Sequence, residues 1–586
     1  MDFSFDEAGN WQRPTMVINP IQVPRVKKEL LRLESEPCLI RRFEELLAKK
    51  KRDWDDREAS RKLLINVHEL GYTIPFCEVL ISRGYTIVRI SRQGRGELGK
   101  DVIARSHNGE LHTFQLKGPA DITLTEWQHI QNEVRDLVQL PVIDPAVNRA
   151  EPHAPFLVTN GEIVGDALTS IEEYANDWVR RGYPRLQIWR KHDLLSMFIE
   201  SHGSYLPTAL VDFREFVQLY VGQFEDRIPR EKFALFLQHL VNVDAVTGRG
   251  RNAKRAIESL VLIAGYIVEQ YERAENHVSA LEGWTIVAAV ILHIAARDNL
   301  RSRQYGASLD LVWMAFHRNL ERLETECLSR DHFIEARYLT AERDVIRGAR
   351  TMLTLGWLAA KYFIDKQVNC AKSSCLFSTI VKREHRALKF LGESDWPYIM
   401  ALSLFLERTE GASAGEGLIK AWVRGIVMMN RSKNSGIPSP YWLQEKVLAF
   451  ANEKLAAYEQ ERFYGQSYTI QSALDMLVRR LLRQAVTNFW PAASRLTFAD
   501  YVPGNSAEWF LWRGHDGYTR LDNPPRQVSW NTWRQTVNQI PRNSVPEILL
   551  ENSRWVLPFA LTYPHRVTRE LSGTIDAVFG ERADLV

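Results

Sequence analysis

Cysteine is scarce, with five in 586 residues, and the closest pair, Cys370 and Cys375, lacks further ligands at zinc spacing. A disulfide framework is therefore not expected, and reduced thiols in a cytoplasmic protein are. An excess of charge of one sign is missing too: 75 Lys and Arg stand against 72 Asp and Glu, a net charge of +3. Any nucleic-acid surface must then be a local patch and not a global field. The N-terminus carries Asp2, Asp6 and Glu7 and no apolar leader segment. The longest apolar run, Trp284 to Ala296, is broken by His293 and reads as a buried helix too short to span a bilayer, so no membrane role is expected. No fixed repeat period is visible, which argues against a named solenoid. The apolar share of 45% and charged share of 25% are those of a globular protein. At this length about two or three domains are expected.

Gly99 to Lys117, GKDVIARSHNGELHTFQLK, carries the most informative pattern. An Asp opens one β-like run, Asn108-Gly109 supplies a hairpin turn, and a second run ends in Gln-Leu-Lys. Alternation puts Thr113, Gln115 and Lys117 on one face of the second run, with His112, Phe114 and Leu116 on the other. Pairing of the runs brings Asp101 near Gln115 and Lys117. A carboxylate and a second oxygen can hold a hard divalent cation, and a neighbouring Lys can orient or deprotonate an attacking water. That is the chemistry of phosphodiester hydrolysis. His112 alternates to the other face and His129 has no partner at metal spacing, so both read as structural.

The same stretch also spells G-x-G-x-x-G through Gly94, Gly96 and Gly99, and nearly spells a P-loop. Both motifs require the glycines to open a helix whose amides face phosphate. Here a strand-like Val102-Ile103-Ala104-Arg105 follows, and Asp101 stands where a P-loop has Ser or Thr. Nucleotide binding is set aside on those grounds.

The flanks predict a helix through Phe76 to Ile81 closed by Gly84, and a strand over Tyr85 to Ile90. Downstream come an amphipathic helix over Leu124 to Leu140, a short buried strand ending in a turn over Pro155 to Gly161, a helix over Asp166 to Arg181 and a strand over Leu186 to Trp189. The order is helix, three strands, helix, strand, helix, strand.

In this order and with these residues the chain resembles the PD-(D/E)xK nuclease superfamily, and its Gln-x-Lys variant resembles the Mrr-type restriction-endonuclease branch. The F-x-E-x-L…R-G-Y run before the Asp and the L-V-T-N-G strand after the Lys are similar to that branch as well. The resemblance covers roughly residues 58 to 200. It implies an α/β restriction-endonuclease-like domain with a central mixed sheet flanked by helices. It also implies a Mg2+ or Mn2+ site made by Glu78 on the first helix, Asp101 and Gln115, with Lys117 as the fourth catalytic residue. Gln115 stands where most members have Glu, so affinity would lean on Asp101 and Glu78, and Glu97 could substitute. The substrate class implied is nucleic acid, DNA favoured over RNA, in restriction or anti-phage defence. The alternative is a catalytically inactive binding or scaffold subunit that uses the same fold as a clamp.

Outside that stretch, residues 1–57 read as a partly helical extension, with Lys49 to Arg52 a solvated helix end more than a phosphate contact. The nuclease-like domain is expected over 58–205, an α-helical domain over 206–430 and an α-helical C-terminal lobe over 431–586, the Asn430 to Pro440 stretch marking the break. Helices are expected at Phe213 to Phe224, Lys232 to Val241, Lys254 to Glu269, Leu309 to Thr325, Tyr338 to Phe363, Trp442 to Tyr458 and Ile470 to Ala485. The basic loop Arg249, Arg251, Lys254 and Arg255 opens one of them and suits phosphate contact. Arg479, Arg480 and Arg483, and Trp509, Trp512, Trp530 and Trp533 interleaved with Arg513, Arg520 and Arg526, are weaker nucleic-acid candidates whose ordinary roles are rim and core. Cutting both strands of a duplex is simplest with two active sites, which points to a homodimer or partner subunits.

Overall fold

The computed structural model describes residues 73–91, 99–118, 121–202, 216, 219, 227–241, 251–329, 341–367, 390–431, 436–442, 447, 464–513, 517–539 and 545–580. The expected extension over 1–57 lies outside them, as do Glu97 and most of the helices expected at Phe213 to Phe224 and Trp442 to Tyr458.

The first described element is helix α1 (Thr73–Ser82). Pro75 sits in its first turn, where a missing N–H costs nothing. Gly84 ends it at φ +86°, and the Tyr85 amide reaches back to the Leu80 carbonyl at 3.0 Å, a left-handed cap that a β-carbon would oppose. Strand β1 (Thr86–Ile90) follows and pairs antiparallel with β2 (Val102–Arg105). Strand β3 (Leu111–Lys117) pairs antiparallel with β2, Val102 opposite Phe114. The hairpin turn is not the two-residue form that Asn-Gly suggests. Ser106 and Glu110 close a three-residue loop in which only Gly109, at φ +85°, is left-handed.

Helix α2 (Leu124–Gln139) starts where the Thr123 hydroxyl accepts the Glu126 N–H. It leads to β4 (His153–Thr159), which lies parallel to β3 with Gln115 opposite Leu157. Helix α3 (Ala167–Arg180) leads in turn to β5 (Gln187–Trp189), parallel to β4. Helix α4 (Lys191–His202) completes this half. The outcome is a mixed five-stranded sheet in the order β1-β2-β3-β4-β5, with every expected element present.

The sheet has two differently covered faces. Trp127, Ile130, Val134 and Leu137 of α2 and Ile171 and Trp178 of α3 pack with Leu157 on one. On the other, Phe114, Leu116, Phe156 and Val158 pack against Ile74, Phe76, Val79 and Leu80 of α1. That second core does not stop at α1.

Beyond it lies a layer of long helices: α5 (Arg230–Leu240), α6 (Arg251–Arg273), α7 (His277–Arg297), α8 (Ser302–Ser329), α9 (Ala341–Gln367), α10 (Trp396–Thr409) and α11 (Ala412–Met429). One hydrophobic cluster runs from the sheet through α1 into these helices and on as far as Phe579. The expected boundary at 205/206 falls outside the described residues, and the core is continuous on either side of it and of 430/431. Helix α7, with 21 residues, is long and apolar enough to cross a membrane, contrary to the length expectation, yet it is packed inside the protein as the buried helix that was expected.

The C-terminal part departs from an all-helical expectation. Strands β6 (Gln466–Ser467), β7 (Thr497–Val502) and β8 (Tyr518–Asp522) form a small sheet. Every residue of β8 is exposed, so it shows none of the apolar alternation by which a strand is read from sequence. The single helix expected at Ile470 to Ala485 is two, α12 (Ile470–Arg479) and α13 (Arg483–Ala493), parted by Leu481 at φ +59°. Helices α14 (Trp530–Asn538), α15 (Glu547–Glu551), α16 (Val556–Thr562) and α17 (Arg569–Phe579) follow.

Candidate active site

Asp101 sits in the turn just before β2, one step beyond the Val102–Phe114 pair. Its N–H donates to the Phe114 carbonyl at 2.9 Å, and its Oδ2 accepts the Leu116 N–H at 2.7 Å. The side chain thereby takes the place of the next ladder acceptor and lies alongside the Gln115 to Lys117 segment of β3. The taut backbone before it has a steric cause. Gly99 has φ +69°, and a β-carbon there would stand 2.2 Å from the Glu133 carbonyl oxygen of α2. Glycine lets the loop lie flat on the helix, and the next residue, Lys100, donates from Nζ to the Asp136 carbonyl at 3.1 Å. Burial lowers the Lys100 pKa to about 8.

Gln115 and Lys117 point to the α2 side, as alternation predicts. Gln115 is 4% exposed, and its Oε1 is buried with no hydrogen-bond partner among the described residues; the Thr113 hydroxyl two residues earlier is in the same condition. A carbonyl oxygen left so is a cost of about 1–3 kcal/mol unless something outside the chain binds it. Lys117 Nζ is 2.6 Å from Oε2 of Glu133. The structure thus brings Asp101, Gln115 and Lys117 to the end of β3, and adds Glu133, which sequence reasoning did not select. Glu133 was findable in principle: it lies beside the Ile130–Val134–Leu137 stripe, on the rim that meets the sheet.

Glu78 does not join them. Its helix covers the opposite face of the sheet, where Phe76 meets Phe114 at a ring separation of 5.3 Å. The Glu78 carboxylate is fully buried and accepts a hydrogen bond from the Ser308 hydroxyl of α8 at 2.9 Å. Burial, and then the neighbouring Glu258, push its pKa well up. It is a residue of the contact between α1 and the helical half, not of the β3 end.

The two expected structural histidines divide as follows. His112 packs between Tyr85, edge-on, and Phe156, and His129 is exposed on α2. Of the basic loop, Lys254 and Arg255 are exposed at the start of α6, Lys254 standing 3.4 Å from Glu258. Arg249 and the Arg251 side chain lie outside the described residues. Arg479 and Arg480 turn inward to Asp576, and Trp509 and Trp533 are buried, so these four are structural, while Arg483, Arg513, Arg520 and Arg526 are exposed and Trp512 and Trp530 half-buried.

Whether a divalent cation suits the β3 end rests on the donors present. Asp101 supplies a carboxylate and Gln115 an unclaimed buried carbonyl oxygen, both hard oxygen donors of the kind Mg2+ and Mn2+ take. Among the described residues, no group of three or more His, Cys, Asp or Glu side chains converges as a ready metal site. Compared with known proteins, the chain matches no family model, no curated protein and no solved structure.

Proposed function

We propose that the chain is a metal-dependent phosphodiesterase acting on nucleic acid, DNA favoured, with its site at the end of β3, formed by Asp101, Gln115 and Lys117. The observation that carries this reading is the buried Gln115 Oε1, without a partner among the described residues, on the strand segment that ends in Lys117 and whose Leu116 N–H holds the Asp101 carboxylate. The resemblance to the PD-(D/E)xK nucleases supports it through the order of elements and the Asp…Gln-x-Lys spacing. Asp101 and Gln115 would hold the cation, Mg2+ or Mn2+, which when bound supplies Lewis acidity toward a phosphoryl oxygen. Asp101 is fixed for this by the Leu116 N–H, so its second oxygen is oriented without further ordering. The Lys117 ammonium donates to the attacking water or to a phosphate oxygen and stabilises the charge that builds there.

The test is cleavage of supercoiled plasmid, linear duplex, single-stranded DNA and RNA with Mg2+ or Mn2+. Lys117→Ala is expected to slow cleavage roughly 10²- to 10⁴-fold, and Asp101→Ala to abolish it. Activity that both variants retain would refute the site. A second reading, a clamp that binds nucleic acid without cutting, is favoured by the neutral amide at Gln115 and the lack of a three-ligand group among the described residues. Binding by the wild type without cleavage under any of these conditions would select it.

A further inference from the structure

Resting on the metal-site reading above, we propose that Glu133 of α2 supplies the second carboxylate of the divalent-cation site, the charge that the amide of Gln115 cannot provide. Three independent features point to this residue. Its carboxylate already lies at the site, with Oε2 2.6 Å from Lys117 Nζ. Its backbone is held against the Asp101 loop by the close approach of Gly99, so Asp101 and Glu133 are fixed relative to each other through two contacts and not one. A buried acceptor on the same strand as Lys117 and two residues before it, Gln115 Oε1, has no partner among the described residues.

The charge balance argues the same way. A site of one carboxylate and one amide beside Lys117 carries no net negative charge, and an Mg2+ or Mn2+ ion would enter it against the ammonium. Adding Glu133 gives two carboxylates against one lysine, which favours a divalent cation. Glu133 is 54% exposed, so its side chain can turn from Lys117 toward a cation without breaking the core, while its helix stays in place. The ion pair with Lys117 then occupies the carboxylate until the cation arrives.

The experiment is Mn2+ binding to the full chain, read by electron paramagnetic resonance of the free ion and by calorimetry. Wild type, Asp101→Asn, Glu133→Gln, Lys117→Ala, Glu78→Gln and the double variant Glu133→Gln/Gln115→Glu are compared, with melting curves to confirm folding. Glu133→Gln should weaken binding by about tenfold or more, as Asp101→Asn does, and Gln115→Glu should restore it in the double variant. Lys117→Ala should not weaken it, because a lost ammonium removes repulsion. Glu78→Gln should leave it unchanged.

If Asp101→Asn loses the ion and Glu133→Gln keeps it, Glu133 is not a ligand and the site reading survives. If Lys117→Ala weakens binding as much as Glu133→Gln does, the role of Glu133 is to position Lys117, and the proposal is overturned. If the wild type binds no Mn2+, the site reading falls and this proposal with it.

Discussion

The two faces of the five-stranded sheet both bury polar groups, and they treat them differently. On the α1 face each buried acid has at least one partner within the chain, although one oxygen each of Glu78 and Glu269 is left without a hydrogen bond among the described residues. Glu78 takes the Ser308 hydroxyl, Glu269 takes the Ile74 N–H of α1 at 3.1 Å, and Glu272 takes Arg318, Asn319 and the Trp284 indole. On the α2 face, Gln115 Oε1 and the Thr113 hydroxyl have no hydrogen-bond partner among the described residues. Buried polar groups that find partners within the chain fasten elements together; those left open at a strand end are what a bound ion or substrate can use. Both faces looked alike as patterns of charged residues, and only the partners separate them.

The largest test of that contrast is Arg318→Met. Arg318 is 9% exposed and bonds Glu272 at 2.6 Å; removing it leaves a buried carboxylate, for an expected loss of about 3–5 kcal/mol in urea unfolding, with Mn2+ affinity intact in the folded fraction. Gly99→Ala should come next and, unlike Arg318→Met, reach the site as well. Its β-carbon has no space against the Glu133 carbonyl and its φ is left-handed, so a cost of roughly 3 kcal/mol is expected, together with impaired cleavage because the Asp101 loop must lift off α2. Equal damage to both properties by both variants would break the contrast.

A smaller effect concerns pH. Burial, and then Glu272, raise the Glu269 pKa to about 8, and Glu78 is shifted the same way. A carboxyl with a raised pKa binds its proton more tightly folded than unfolded. Its contribution is whole below the unfolded value, about 4.3, and is lost as pH rises through about 8. Glu269→Gln keeps an acceptor for the Ile74 N–H and should flatten the decline in urea midpoint between pH 5 and pH 9. Smallest of all, Glu133→Gln should change stability by less than about 1 kcal/mol, as a half-exposed ion pair does, though its effect on the cation is large. A loss of several kcal/mol would make Glu133 a structural residue like those of the α1 face.

Much of the sheet half was legible. Strict alternation in β3, the Asn-Gly turn and the stripes of α2 and α3 are local patterns, and for α2 and α3 they suffice because the second face of each meets water. The placement of Asp101 beside Gln115 and Lys117 follows from a hairpin and needed nothing more. Glu78 was misjudged because the stripe Phe76–Val79–Leu80 implies a free opposite face. That face is covered by α6 and α8, whose contacts come from more than 170 residues away, and no periodicity within α1 can announce a second burial. Glu133 was overlooked for the same kind of reason: its contact with Lys117 spans 16 residues and two elements. Strand β8 was invisible because it buries nothing.

Helix α1 makes the two halves inseparable. Nine of its ten residues are buried, some by the sheet and others by the long helices, so neither half owns it. A fragment ending near residue 205 would expose the outer side of α1 with Glu78 and Cys77 on it, and is expected to be insoluble. A chain nicked between the halves would stay together, held by a core that ignores the cut. Recombining this sheet half with a different helical partner, as one does with modular enzymes, would require replacing the face of α1 as well. A substitution on either side of α1 is thus felt by both halves at once.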